Sequence, residues 1–344
     1  MTAPHLDSAL DIIRSVERIS TPRGIQKSDI VTLGGVPQFV SIRGTSTRNP
    51  VLLFVHGGPG TPLAPTAWMW QRPVEEFFTV VHYDQRGAGR SHGLSDPAEI
   101  RDTLQPGQYV EDLIELTEWL LRTLDVSSIS IAAHSWGTVV ATTAVVKRPD
   151  LFSSYLGIGQ VVDFTEAERV SFDWLLDEAR HRVDLSAQSE LQKLEPYPGP
   201  GPMDPQKLAI HRSWVGRYGG FAAGRSDCDY FLDGSTVSPD LSATDRAHID
   251  LGNILSAEML VPQLMDITLS TITQFPIPII QFQGRHDQMT PAAPVEFWMN
   301  SLTAPSKHIE WFEHSAHMPM YEEPGHFLTA LLAHIQPWAT AAPR

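Results

Sequence analysis

A chain of 344 residues can build one large core, or a core carrying an inserted segment, so burial does not limit its stability. Forty acidic against twenty-five basic residues leave a net charge of −15, the wrong sign for a general partner of nucleic acid or anionic membrane. The single cysteine, Cys228, excludes an intrachain disulfide and any multi-cysteine metal site.

The opening residues lack a cationic start followed by an apolar stretch, and no later apolar run is long enough to span a bilayer. A soluble, cytoplasmic protein is expected. Leu10, Ile13 and Val16 recur at helical spacing and predict a helix over 7–19. From Asp29 to Arg43, alternation around Gly34-Gly35 predicts two strands joined by a tight turn. Val51–Val55 reads as a strand buried on both faces, ending in His56-Gly57-Gly58-Pro59-Gly60. A second buried strand, Phe78–Tyr83, runs into the glycine-rich bend Asp84–Ser91. An amphipathic helix is predicted over Tyr109–Leu124.

Next comes a short apolar strand from Ile129, a corner with Ser135 at its tip, and a small-residue helix over 136–147. This is the pattern of a nucleophile elbow, which lifts a serine hydroxyl off a strand end and aims a helix N-terminus at it. Gly137 supplies the small residue after the serine, while Ala133 stands where glycine is usual. As a simpler alternative, Ser135 only caps a helix. A strand follows around Tyr155–Val162. Strands alternating with helices predict an α/β fold, a mainly parallel sheet with helices on both faces.

Residues 163–270 carry helical spacing without a clear strand, interrupted by Pro196–Pro202, which cannot be regular helix or central strand. They read as a helical insertion. The α/β pattern returns with a strand at Ile277–Phe282, a helix at Pro291–Leu302, a strand at Lys307–Glu313 and a closing helix at Pro324–Ile335. The expected division is therefore 1–162 and 271–344 as a core in two parts, with 163–270 as a cap.

Serine is a weak nucleophile and needs a base that is oriented by a third group. Asp287 and His317 both lie just past strand ends, and the chain order Ser, Asp, His suits the hydrolase fold built on such an elbow. His314 is a competing base and Asp163 a competing acid. His134 and His286 are expected to shape the pocket or to bond with backbone. Two backbone N–H groups are needed for the oxyanion, one from Trp136 and one from the Gly57-Gly58 turn. No Walker lysine and no G-x-G-x-x-G follow those glycines, so they do not read as a nucleotide loop.

Together HGGPG at 56–60, DQRGAGRS at 84–91, HSWG at 134–137, GRHD at 284–287 and SAHMP at 315–319 resemble the α/β-hydrolase superfamily. Within it they are similar to the proline iminopeptidase-like serine peptidases, over roughly 30–162 and 271–340. The resemblance implies a catalytic triad of Ser135, Asp287 and His317, an oxyanion hole of Gly58 and Trp136, and a helical cap over 163–270. It implies release of an N-terminal residue from small peptides or amides, with esterase, lactonase or amidase action on a small metabolite as the alternative. A silent or non-hydrolytic member of the fold is a third reading. No metal or organic cofactor is implied, and the partner is a small-molecule or short-peptide substrate. The family's true aminopeptidases hold the substrate amine with cap acids, and a Trp-Glu pair is the feature to seek. Here Trp214–Gly220 contains no glutamate. Glu166, Glu168, Asp173, Asp177 and Glu178 are expected to form a solvated helix face.

Overall fold

A computed structural model describes residues 4–341. Eight strands form one sheet: β1 (Ile25–Leu33), β2 (Val36–Gly44), β3 (Val51–Val55), β4 (Thr79–Tyr83), β5 (Ile129–His134), β6 (Phe152–Ile158), β7 (Ile279–Gly284) and β8 (Lys307–Phe312). Their spatial order is β1-β2-β4-β3-β5-β6-β7-β8. The β1–β2 and β2–β4 pairs are antiparallel and every other pair is parallel. Gly34 and Gly35 make the β1–β2 turn at φ +52° and +77°, backbone that a β-branched residue resists.

The continuous apolar strands are those covered on both faces. Along β3, Val51, Leu53 and Val55 enter the core on one side, while Leu52 and Phe54 enter the core on the other. Those cores are closed by helices such as α2 (Pro106–Leu124) and α3 (Trp136–Lys147), whereas α1 (Pro4–Glu17), ahead of β1, adds none of its described residues to them. Helix α1 ends two residues earlier than its apolar spacing predicts. It leaves Ile12 and Val16 mostly exposed.

Between β6 and β7 the chain forms α4 (Phe164–His181), α5 (Leu185–Gln192), α6 (Pro205–Arg217), α7 (Asp229–Thr236) and α8 (Ala243–Leu260). The two ends of this stretch are tied together. Phe164 N–H donates to the Ile267 carbonyl and Leu269 N–H to that of Val162. After β7 come α9 (Ala292–Ser301), β8 and α10 (Pro324–His334). Several strand boundaries differ from the sequence expectation, two of them for a clear local reason. Strand β6 stops at Ile158, because Gly159 turns the chain at φ +57°. Strand β7 starts past Pro278, which has no N–H to give the ladder. Among the described residues no helix is long and apolar enough to cross a membrane.

Candidate active site

Ser135 sits at the C-terminal end of β5, the strand paired with β3 on one side and β6 on the other. Its backbone is at φ +54°, ψ −124°, a conformation that costs a non-glycine residue on the order of 1–3 kcal/mol. Surrounding contacts hold it there. Its N–H donates to the Ile158 carbonyl at 2.9 Å, and its own carbonyl accepts from Thr138 N and Oγ1 at 2.8 and 2.6 Å. Helix α3 begins at the next residue, so its N-terminal dipole points at the serine. Close packing explains the small neighbours: a Cβ on Gly137 would lie 2.3 Å from the Val55 carbonyl oxygen. Ala133, where glycine is usual, is fully buried and pairs in register with Gly157.

His317 lies in the loop after β8 and is buried. Its Nδ1 meets Asp287 Oδ2 at 2.9 Å. A carboxylate can only accept, so Nδ1 carries the proton and Nε2 presents its lone pair. Asp287 is itself fixed. Its Oδ1 accepts from Met289 N and Thr290 N at 2.8 and 2.9 Å, and its Oδ2 also accepts from Thr290 Oγ1 at 2.8 Å. Gly159 lets backbone pass the imidazole, for a Cβ there would be 2.8 Å from His317 Cε1. The histidine loop is also anchored to the chain between α6 and α7. His317 N–H donates to the Phe221 carbonyl, while Glu322 accepts from Ala316 N, Met318 N and Ala223 N.

His134 Nε2–H donates to the His317 carbonyl at 3.0 Å, and burial pushes its pKa down to about 3. It is a neutral structural imidazole. His314 and His286 are exposed, and neither borders the cavity beside Ser135. Asp163 accepts from Glu166 N at 2.9 Å as the N-cap of α4, whereas the ring of His317 is met by Asp287 and Thr290. The competing base and acid therefore have other surroundings.

The two glycine motifs interlock. Gln85 N–H donates to His56 Nε2, and Gln85 Nε2 donates to the His56 carbonyl at 2.8 Å. Gln85 Oε1 in turn accepts from the Trp136 indole at 3.2 Å. Arg86 grips Asp112 through Nε and Nη2 at 2.9 and 2.8 Å, both side chains being buried. The residues 84–91 thus brace the loop that carries Gly58 and the helix start at Trp136.

Ser135, Trp136, Gly58 and His317 all line one cavity of about 410 Å³ between the sheet edge and helices α4, α6 and α8. Its remaining wall is mainly apolar, including Phe221 and Phe231. Trp174, Trp214, Tyr218 and Tyr230, from the same stretch between β6 and β7, do not line the cavity. The reading of the α4 acids as solvated holds for Glu166, Asp173, Asp177 and Glu178, which pair with Arg169, Arg180 and Arg182 at the surface. Glu168 departs from it. It is fully buried, lines the cavity and pairs with Arg212. A signal for this existed: Glu168 shares the face of α4 that carries Phe172, Leu175 and Ala179. Thr290 was also missed, since its role comes from the local Asp-x-x-Thr turn.

Cys228 lies outside the cavity wall, and burial raises its thiol pKa. A separate cluster of metal-ligand types, His308, Glu310 and His334, gathers at the start of β8, the opposite end of that strand from His317. Both imidazoles there contact the Glu310 carboxylate, at 2.9 and 3.0 Å.

A serine-tipped elbow on an eight-stranded, mostly parallel sheet defines the class of protein. A model of the alpha/beta hydrolase fold family matches residues 50–324, and the chain belongs to that family, within which it is proline iminopeptidase-like. The probable aminopeptidase YbaC of Bacillus subtilis is 32% identical over 308 residues, covering 88% of this chain and 94% of that protein. A proline iminopeptidase of Heyndrickxia coagulans is 26% identical over 312 residues, 87% of this chain and 94% of its own. The solved proline iminopeptidase of Mycobacterium smegmatis superposes with a TM-score of 0.65 at 17% identity, covering 92% of this chain and all of the other, a likeness of fold. The protein is thus a hydrolase of the α/β-hydrolase family.

Proposed function

We propose that the protein is a serine hydrolase that opens an ester or amide bond in a small molecule or short peptide by way of an acyl-enzyme. The observation that carries this reading is the 2.9 Å contact of Asp287 with His317 Nδ1 at the wall of the cavity that Ser135 also lines. His317 Nε2 takes the proton from Ser135 Oγ as that oxygen attacks the substrate carbonyl, and Asp287 holds the tautomer and stabilises the imidazolium. The N–H groups of Trp136 and Gly58 receive the oxyanion. His317 then protonates the leaving amine or alcohol, and water, deprotonated by the same imidazole, releases the acid and restores Ser135. Residues 163–270 serve as the cap over this chemistry, on the core formed by 1–162 and 271–344.

Two substrate classes follow from the same machinery. The names of the relatives favour release of an N-terminal residue. Action on an ester, lactone or amide without a free amine is favoured by a specific feature: Glu168, the acid that lines the cavity, is already paired with Arg212. The test is hydrolysis of aryl esters and arylamides by the wild type and by Ser135→Ala. Turnover should be lost in the variant while the fold is retained. A variant that keeps the wild-type rate contradicts the reading.

A further inference from the structure

Apart from histidines, Glu168 and Arg212 are the only ionisable side chains lining the cavity, among the described residues. They come from α4 and α6. A buried ion pair is on balance no more stabilising than well-packed apolar residues of the same volume. Its presence beside an apolar cavity therefore calls for another reason.

The two partners are not equally available. Glu168 is 1% exposed, and its oxygens are both engaged: Oε1 accepts from Arg212 Nη2 and Oε2 from the Tyr197 hydroxyl. An incoming ammonium meets a carboxylate whose charge Arg212 already compensates. Arg212 keeps 21% of its side chain exposed and borders the cavity. Its Nη1 donates to His211 Nδ1 at 3.0 Å, and that imidazole is itself stacked on Tyr197 at 4.8 Å. Burial, then the neighbouring guanidinium, keeps His211 neutral, so it can accept. The guanidinium is held by Glu168 and His211 with N–H groups left over. A planar fork of donors fixed before the ligand arrives loses little freedom on binding.

We propose that Arg212, set in place by Glu168 and His211, anchors a carboxylate on the acyl part of the substrate, so that acidic acyl groups are preferred over those with a free amine. The inference rests on the acyl-transfer reading of Ser135 and names the substrate class for that same site. Arg212 is a binding residue in this account, and Glu168 is a positioning residue.

The test compares alanyl, N-acetylalanyl and N-succinylalanyl groups, each presented as a phenyl ester and as a 4-nitroanilide. For the wild type, kcat/KM for the succinyl compound should exceed that for the acetyl compound by about tenfold or more, the worth of a charge-assisted hydrogen bond. The free amine should be poorest. Arg212→Lys keeps a charge against Glu168 but loses the fork, and should lower the succinyl-to-acetyl ratio several-fold. Glu168→Gln combined with Arg212→Met removes both charges, so no lone buried carboxylate is left, and should bring the ratio to about one. Preference for the free amine, a flat response of the wild type, or a ratio that survives in the double variant would each overturn this inference alone. Absence of any turnover, with Ser135 inert toward a fluorophosphonate, would overturn the acyl-transfer reading and this inference with it.

Discussion

Asp287 accepts four hydrogen bonds, and only one of them comes from His317. The other three fix the carboxylate before catalysis, which is the condition for holding one imidazole tautomer. Asp287→Asn should keep the backbone bonds and the fold but offer an amide N–H to Nδ1. The expected result is a loss in kcat of about 10³–10⁴ with a modest change in KM. Steady-state kinetics with a melting curve would check it, and an unchanged kcat would contradict it. Ser135, Asp287 and His317 were legible because each falls in a loop just past a strand end, and such loops gather at one edge of a parallel sheet. Arg212 was not. Its meeting with Glu168 depends on how α4 packs on α6, and residue spacing within either helix says nothing of that angle.

At the scale of elements, the join of β5 to α3 sets the position of the serine. Gly137 sits where a Cβ would fall 2.3 Å from the Val55 oxygen and 2.6 Å from that of His56, both backbone atoms of β3 and its loop. Gly137→Ala should therefore push α3 away from β3. The expected cost is about 1–3 kcal/mol of stability from overpacking, with a fall in kcat as the Trp136 N–H moves. Urea unfolding and kinetics on the same variant would show both effects; a variant as stable and active as the wild type would contradict the account. The inner strands β3 and β4 were legible from continuous runs rich in apolar residues, because a strand covered on both faces buries every side chain. Strand ends were less so. Gly159 and Pro278 truncate β6 and β7 inside apolar runs that continue as buried loop, and burial alone does not distinguish strand from loop.

Over the whole molecule, burial has a cost that appears with pH. His82 and His134 are fully buried, and desolvation pushes each pKa from 6.5 down to about 3. Between those limits the unfolded chain binds a proton at each histidine that the native state refuses, so stability rises with pH across the window. It is complete above 6.5 and is lost progressively as pH falls toward 3. Each group contributes a slope of about 1.4 kcal/mol per pH unit in the middle of that range. Urea unfolding between pH 4.5 and 7 should show this trend, and His82→Gln should reduce the slope by about one histidine's share. A slope unaffected by that substitution would contradict the assignment. Composition could not have revealed these two among the fourteen histidines, since only the packed sheet places them away from water.

The central claim is that Ser135 is the nucleophile. The direct measurement is the intact mass, followed by peptide mapping, of the wild type and of Ser135→Ala after rapid quenching with a slowly released aryl ester. The account predicts one acyl adduct, located on Ser135 and absent from the variant. Steady turnover of the ester by a folded Ser135→Ala protein, or an adduct on another residue, would contradict it.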